Sequence, residues 1–193
     1  MASKPRTALV AAALMAGALT LAACASAPPE TFDLTASSAK ANLRAPLAIR
    51  EPVASLDLDS QRILVRTSPD TVAYMAGAQW SDRLPALVQS RLVQTFQNSK
   101  QLRFVGRAGA GFVADYEMEL DIRAFELDVS KGQAVIDIAV KIVGAGSGRV
   151  VAAQIFTAQA PASGTGPADA VAALNAALAT VMARIAAFAS THE

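Results

Sequence analysis

The sequence is short of the residues that do covalent and metal chemistry. It holds one cysteine, one histidine, one tryptophan and two tyrosines in 193 residues. A single thiol makes no internal disulfide, and CxxC spacing for zinc or redox work needs a second sulfur. Charge is scarce and of neither sign in excess, with 17 basic against 16 acidic side chains. That balance, without a Lys/Arg cluster, removes the basic field that nucleic acid would require. No HExxH, GxSxG or P-loop spacing occurs. What abounds is apolar surface, 53% of residues, enough for one domain or two small ones.

Part of that hydrophobicity belongs to a leader. Lys4 and Arg6 precede an uncharged apolar stretch over residues 7–21, which ends in Ala22-Ala23-Cys24. A charged start, an apolar middle and a small-residue end are the parts of a cleaved export signal. A permanent span needs about 20 apolar residues, and this one stops short, with Pro28 and Pro29 following soon after. Leu21-Ala22-Ala23-Cys24 also resembles a bacterial lipobox, in which cleavage frees the cysteine for acylation. The alternatives are ordinary cleavage leaving a free Cys24, or an uncleaved anchor. Lipidation is preferred because it explains the lone thiol of an exported chain. Stable anchoring takes more than one acyl chain, and the lipobox implies a triacylated Cys24. Residues 1–23 are thus expected to be removed, with 24–31 a tether and 32–193 one domain. The six residues from Ala25 to Glu30 reach about 20 Å when extended, which keeps that domain close to its membrane.

Periodicity gives the elements of the mature chain. Residues 46–53, 61–67 and 102–106 read as strands. The stretch 115–129 is clearer, because Tyr116, Met118, Leu120 and Ile122 alternate with Glu117, Glu119, Asp121 and Arg123. Residues 133–143 and 149–158 repeat the alternation after short glycine-containing turns, which predicts an antiparallel meander. Residues 81–99 carry Leu84, Leu87, Val88, Leu92, Thr95 and Phe96 at helical spacing, with Ser81 as N-cap. Residues 167–190 place Val171, Leu174, Leu178, Val181, Ile185 and Phe188 on one stripe. The expected fold is α+β: an antiparallel sheet with two long helices packed on one face.

Each local hint of catalysis has a plainer explanation. The glycines at 144–148 are followed by a strand, as in a hairpin turn, rather than by the helix of a phosphate loop. Glycines 106, 109 and 111 fail the same test. Ser37-Ser38-Ala39-Lys40 matches SxxK without an SDN or KTG partner and lies in a polar loop. His192 is the penultimate residue, where chains fray. Glu117, Glu119 and Asp121 would line one strand face, which reads as solvated rather than metal-binding. No catalytic residue, metal ligand or cofactor site is expected.

Several segments together resemble the ABC-type transport auxiliary lipoproteins, the group that includes paraquat-inducible protein C. They are the lipobox cysteine, Phe32-Asp33-Leu34, Tyr74-Met75-Ala76-Gly77-Ala78-Gln79-Trp80-Ser81-Asp82 leading into a Leu-rich helix, the long strand reaching Phe125, and the closing helix. The resemblance covers about residues 32–188. It implies a non-enzymatic periplasmic lipoprotein working with an MCE-domain protein and an ABC permease and ATPase. Phospholipid or another lipid would be the cargo, moved between inner and outer membranes, and a ring-like homo-oligomer is implied. Ala25 is not the aspartate that similar lipoproteins use to stay at the inner membrane, so the outer membrane, facing the periplasm, is expected. The alternative is an assembly lipoprotein that plugs or chaperones an outer-membrane β-barrel.

Candidate partner- or lipid-binding residues follow from side-chain chemistry. Tyr74, Met75 and Trp80 lie between a strand and a helix, where amphipathic aromatics suit an interface; Trp80 alternatively packs as a staple at the start of the helix. The outward face of the long strand continues as Phe125, Leu127 and Val129. Either a bulge near Ala124 turns these inward, or they form an exposed apolar patch.

Overall fold

The computed structural model describes residues 28–100, 105–111 and 113–192. The leader, Cys24 and residues 102–104 of one expected strand lie outside the described residues. The chain runs β1 (Glu30–Phe32), β2 (Leu47–Ile49), β3 (Val53–Ala54), β4 (Arg62–Ser68), β5 (Thr71–Trp80), α1 (Leu84–Asn98), β6 (Val105–Arg107), β7 (Tyr116–Asp128), β8 (Gln133–Gly144), β9 (Val150–Pro161) and α2 (Pro167–His192). Pairing begins at Glu30, inside the segment expected to be tether.

The strand with the longest alternating pattern, β7, organises the sheet. One of its edges pairs with β8 along its length, and β9 follows, both antiparallel as the hairpin turns predict. Gly144 N–H donates to Arg149 O at 2.9 Å across the second turn, and Gly148 sits there at φ +66°. The other edge of β7 takes β2, β3 and β4 in succession, starting at Leu47↔Tyr116, Val53↔Asp121 and Leu64↔Glu126, all parallel. Beyond β4 lie antiparallel β5 and then parallel β1, and beyond β2 lies parallel β6. Among the described residues this is a nine-stranded mixed sheet. The fold is α+β as expected, but the sheet is not wholly antiparallel. Alternation says which face of a strand is buried and is silent on its direction. The parallel pairings are two or three residues long and join segments far apart in sequence.

Both helices cover one face. The inward stripe of β8 (Ala134, Ile136, Ile138, Val140, Ile142) is buried against the stripe of α2, and Met118, Leu120 and Ile122 of β7 share that core. The helices touch each other, with Thr95 Oγ1 3.5 Å from Met182 Sδ. Although α2 is long and apolar enough to cross a bilayer, it packs on β8 and β9 as a core helix. Helix α1 starts later than expected. Arg83, not Ser81, occupies the N-cap position and makes no side-chain cap. Ser81 N–H is committed to Phe32 O at 2.7 Å, which ties the approach to α1 onto β1. Pro85, lacking an N–H, removes one donor from the uncapped turn.

The polar stretch before β2 is ordered by the helices. Its backbone N–H groups at Thr35, Ser37 and Asn42 donate to Asn175 Oδ1, Thr95 Oγ1 and Ser190 Oγ, at 2.8, 3.0 and 3.0 Å. Leu34, Ala41 and Leu43 are buried along the same stretch.

Candidate functional site

The candidate residues divide by depth. Trp80 is 1% exposed and meets Phe125 edge to face, with ring centroids 5.9 Å apart. Its backbone N–H donates to Gln61 O at 2.6 Å. Phe125 and Leu127 are 1% and 0% exposed. The reason is a register shift between Ile122 and Ala124: Ile122 pairs with Ile138, but the next aligned pair is Ala124 with Asp137. The extra residue, Arg123, returns the alternation to the helix-covered face at Phe125↔Ile136 and Leu127↔Ala134. Of the two arrangements open in the sequence, the structure has the bulge.

Tyr74 and Met75 lie elsewhere, half-buried on the outer part of β5. Leu64 pairs with Tyr74 while Arg62 pairs with Gln79, so two steps along β4 face five along β5. The surplus is a wide bulge through Met75, Ala76 and Gly77. Gly77 stands at φ +68°, a conformation that side-chain-bearing residues rarely adopt. Arg62 lies across the Tyr74 ring, with Cζ 3.4 Å from its centroid. Val72 is 41% exposed, and Thr71, Ala73 and Ala76 are exposed beside it. Among the described residues β1 covers only Ala78–Trp80, and the edge of β5 before the bulge has no strand partner on that side. Sequence reasoning missed that residues 71–80 are a strand, although a glycine inside a strand-like run is a bulge signal.

The base of this hairpin is held by charge. Arg66 forks onto the Glu126 carboxylate, with Nη2 at 3.0 Å from Oε2, and reaches Pro69 O in the turn at 2.8 Å. Glu126 is buried. The carboxylate of Asp128 is held below the usual aspartate range by the Ser130 hydroxyl, and then by Lys131. Asp33 is likewise held low, first by its hydrogen bond from Arg91.

A second open edge belongs to β9, which among the described residues pairs with β8 alone. Its residues Val150–Pro161 carry no charge. Arg184 of α2 donates to Thr157 O at 2.9 Å, so the backbone of Thr157 points away from β8. The two-residue repeat directs Ile155 and Gln159 the same way. Ile155 is 52% exposed. Chemically, this edge can take a further strand.

The remaining candidates have structural roles. Glu119 and Asp121 line a cleft of about 310 Å³ together with Arg50, Glu51, Val53 and Lys141. Arg50 Nη1 is 2.9 Å from Glu117 Oε2 and 3.9 Å from Glu119 Oε1, and Lys141 is the cross-strand partner of Glu119. Cations of the chain itself thus answer the acidic face. Ser37 Oγ accepts the Ala39 N–H at 3.2 Å in a local turn. His192 stacks on Phe188, with centroids 4.5 Å apart.

The chain is 34% identical over 157 residues to an uncharacterized protein of Bradyrhizobium diazoefficiens, a match covering 78% of this chain. It spans 42% of the length of that curated relative. Among solved structures, protein XCC0632 from Xanthomonas campestris matches with a TM-score of 0.74 at 27% identity, over 87% of this chain and 96% of that one. A second crystal structure, of an uncharacterized protein, gives 0.67 at 16% identity over 84% and 99%, a likeness of fold alone. Residues 31–186 match the family described as ABC-type transport auxiliary lipoprotein component.

Proposed function

This chain belongs to the ABC-type transport auxiliary lipoprotein component family, and on that footing we propose that it is the membrane-tethered periplasmic subunit of a lipid transport system. Acylated Cys24 anchors it in the outer membrane. There it docks the MCE-domain protein served by an ABC permease and ATPase, and it performs no catalysis itself. The observation that carries the reading is positional. The family match begins at residue 31, and strand pairing begins at Glu30, six residues after the lone thiol of a lipobox-like leader. Affinity purification of the tagged native chain from detergent-solubilised membranes, after crosslinking, tests it. Recovery of an MCE-domain protein with its permease is expected. Recovery of an outer-membrane β-barrel in their place would make this an assembly lipoprotein instead.

The β9 edge supports self-association. A strand that meets its own copy across a two-fold axis brings every charge it carries into the contact twice, and like charges close together destabilise pairing. Uncharged β9 carries no such penalty. Ile155→Lys places two ammonium groups in that contact, and light scattering of the solubilised protein should then show a smaller particle than wild type. An unchanged particle would remove β9 from the interface.

A further inference from the structure

The first strand after Cys24, β1, lies beside β5. β1 runs parallel to β5 with Glu30 opposite Ala78. The N-terminal end of β1, at Glu30, therefore faces the same way as the Thr71 end of β5. Extended, the six residues from Ala25 to Glu30 cover about 20 Å. Val72 lies six residues from Ala78 along the strand, a distance of about 20 Å or less. Cys24 thus stands within about 25 Å of Ala78, the tether's reach plus one strand spacing, and a bilayer holding Cys24 is within reach of this edge.

The chemistry of the edge suits that position. No charged side chain occurs in Thr71–Trp80. Val72 and Ala76 are exposed, Met75 and Tyr74 are half-buried, and the Arg62 guanidinium covers the Tyr74 ring. An aromatic with a polar tip, apolar neighbours and a snorkelling cation is the composition found at membrane–water interfaces. The ion pair of Arg66 with Glu126 and its bond to Pro69 O hold the turn rigid at its base. The other open edge, β9, has no such link to the tether.

We infer that the β4–β5 hairpin, through Val72, Tyr74, Met75 and Arg62, is seated in the interfacial layer of the membrane that holds Cys24. The domain then has two membrane attachments, one covalent and one through this edge, which fixes which side it turns to its partners. The inference rests on acylation of Cys24 as proposed above.

The test uses the full-length lipidated protein in vesicles of phosphatidylethanolamine and phosphatidylglycerol. Acylation blocks Cys24, so Ala76→Cys offers one thiol for an environment-sensitive fluorophore. Gly146→Cys, on the β8–β9 turn at the opposite end of β7, is the control. The expected result is a blue shift at position 76 with quenching by lipid-borne quenchers, neither seen at 146. Adding Val72→Asp should abolish both signals at 76 while the protein stays with the vesicles. Vesicle-bound protein whose label at 76 behaves as it does at 146 would overturn the seating and leave the anchor standing. A blue shift that needs high protein density and resists lipid quenchers would assign the edge to a second copy and also overturn it. Failure to float with vesicles, with Cys24 open to the label, would mean that the anchor itself is absent and the seating falls with it.

Discussion

Replacing Trp80 with alanine removes one ring of the edge-to-face pair with Phe125 from a site closed to solvent. The expected cost is about 3–5 kcal/mol in chemical denaturation. Tyr74→Ala, at a half-buried position under Arg62, should cost about 1–2 kcal/mol. A reversed order would contradict the division between core and surface drawn for β5. Composition suggested both residues for one reason, an apolar body with a polar tip, and nothing in the local sequence separates them. The separation comes from the bulge at Gly77, which breaks the alternation that would have sorted them. Acid behaviour belongs at this scale too. Asp33 and Asp128 have carboxyls held below the ordinary aspartate value, so their contribution is present above about pH 4 and is lost as pH falls through their folded values. Wild type should therefore lose stability as pH is lowered beneath about 4, and Asp33→Asn should flatten that limb in a pH series of thermal melts.

At the scale of elements, the bulge in β7 decides where Phe125 and Leu127 point. Deleting Arg123 takes away the surplus residue and returns both side chains to the outer face, because a one-residue slip reverses every side chain beyond it. The expected outcome is loss of a cooperative thermal transition. A deletion variant that melts like wild type would show that the bulge is not what buries them. Strands β7, β8 and β9 and both helices were legible in sequence, with ends a few residues off at most, because each has one long wet face and one dry one. The sequence did not reveal that residues 71–80 form a strand, because β5 lacks alternation around its bulge. Parallel pairing was equally hidden, since Leu47–Ile49 and Val53–Ala54 find their register through β7, far along the chain.

Among the described residues the molecule is a helix-backed mixed sheet in which β5 and β9 each present an unpaired edge, and its first strand begins six residues after a lipobox-like cysteine. Helix α2 is long and apolar enough to cross a bilayer, yet it belongs to the core. α2 spends its apolar stripe on β8 and β9, so Leu178→Ala should cost about 2–5 kcal/mol of folding stability with no effect on membrane association. Cys24→Ser should do the reverse, moving the folded chain from the membrane pellet to the soluble fraction. The family was legible because the Tyr74–Trp80 run and the lipobox are local in sequence. The surfaces were not, because they arise from strands that end without a neighbour. The central claim is most directly tested by intact-mass analysis of the native chain extracted from bacterial membranes. The account predicts a polypeptide beginning at Cys24 that carries a thioether-linked diacylglyceryl group and an amide-linked acyl chain. A chain with a free Cys24 thiol, or one retaining residues 1–23, would contradict it.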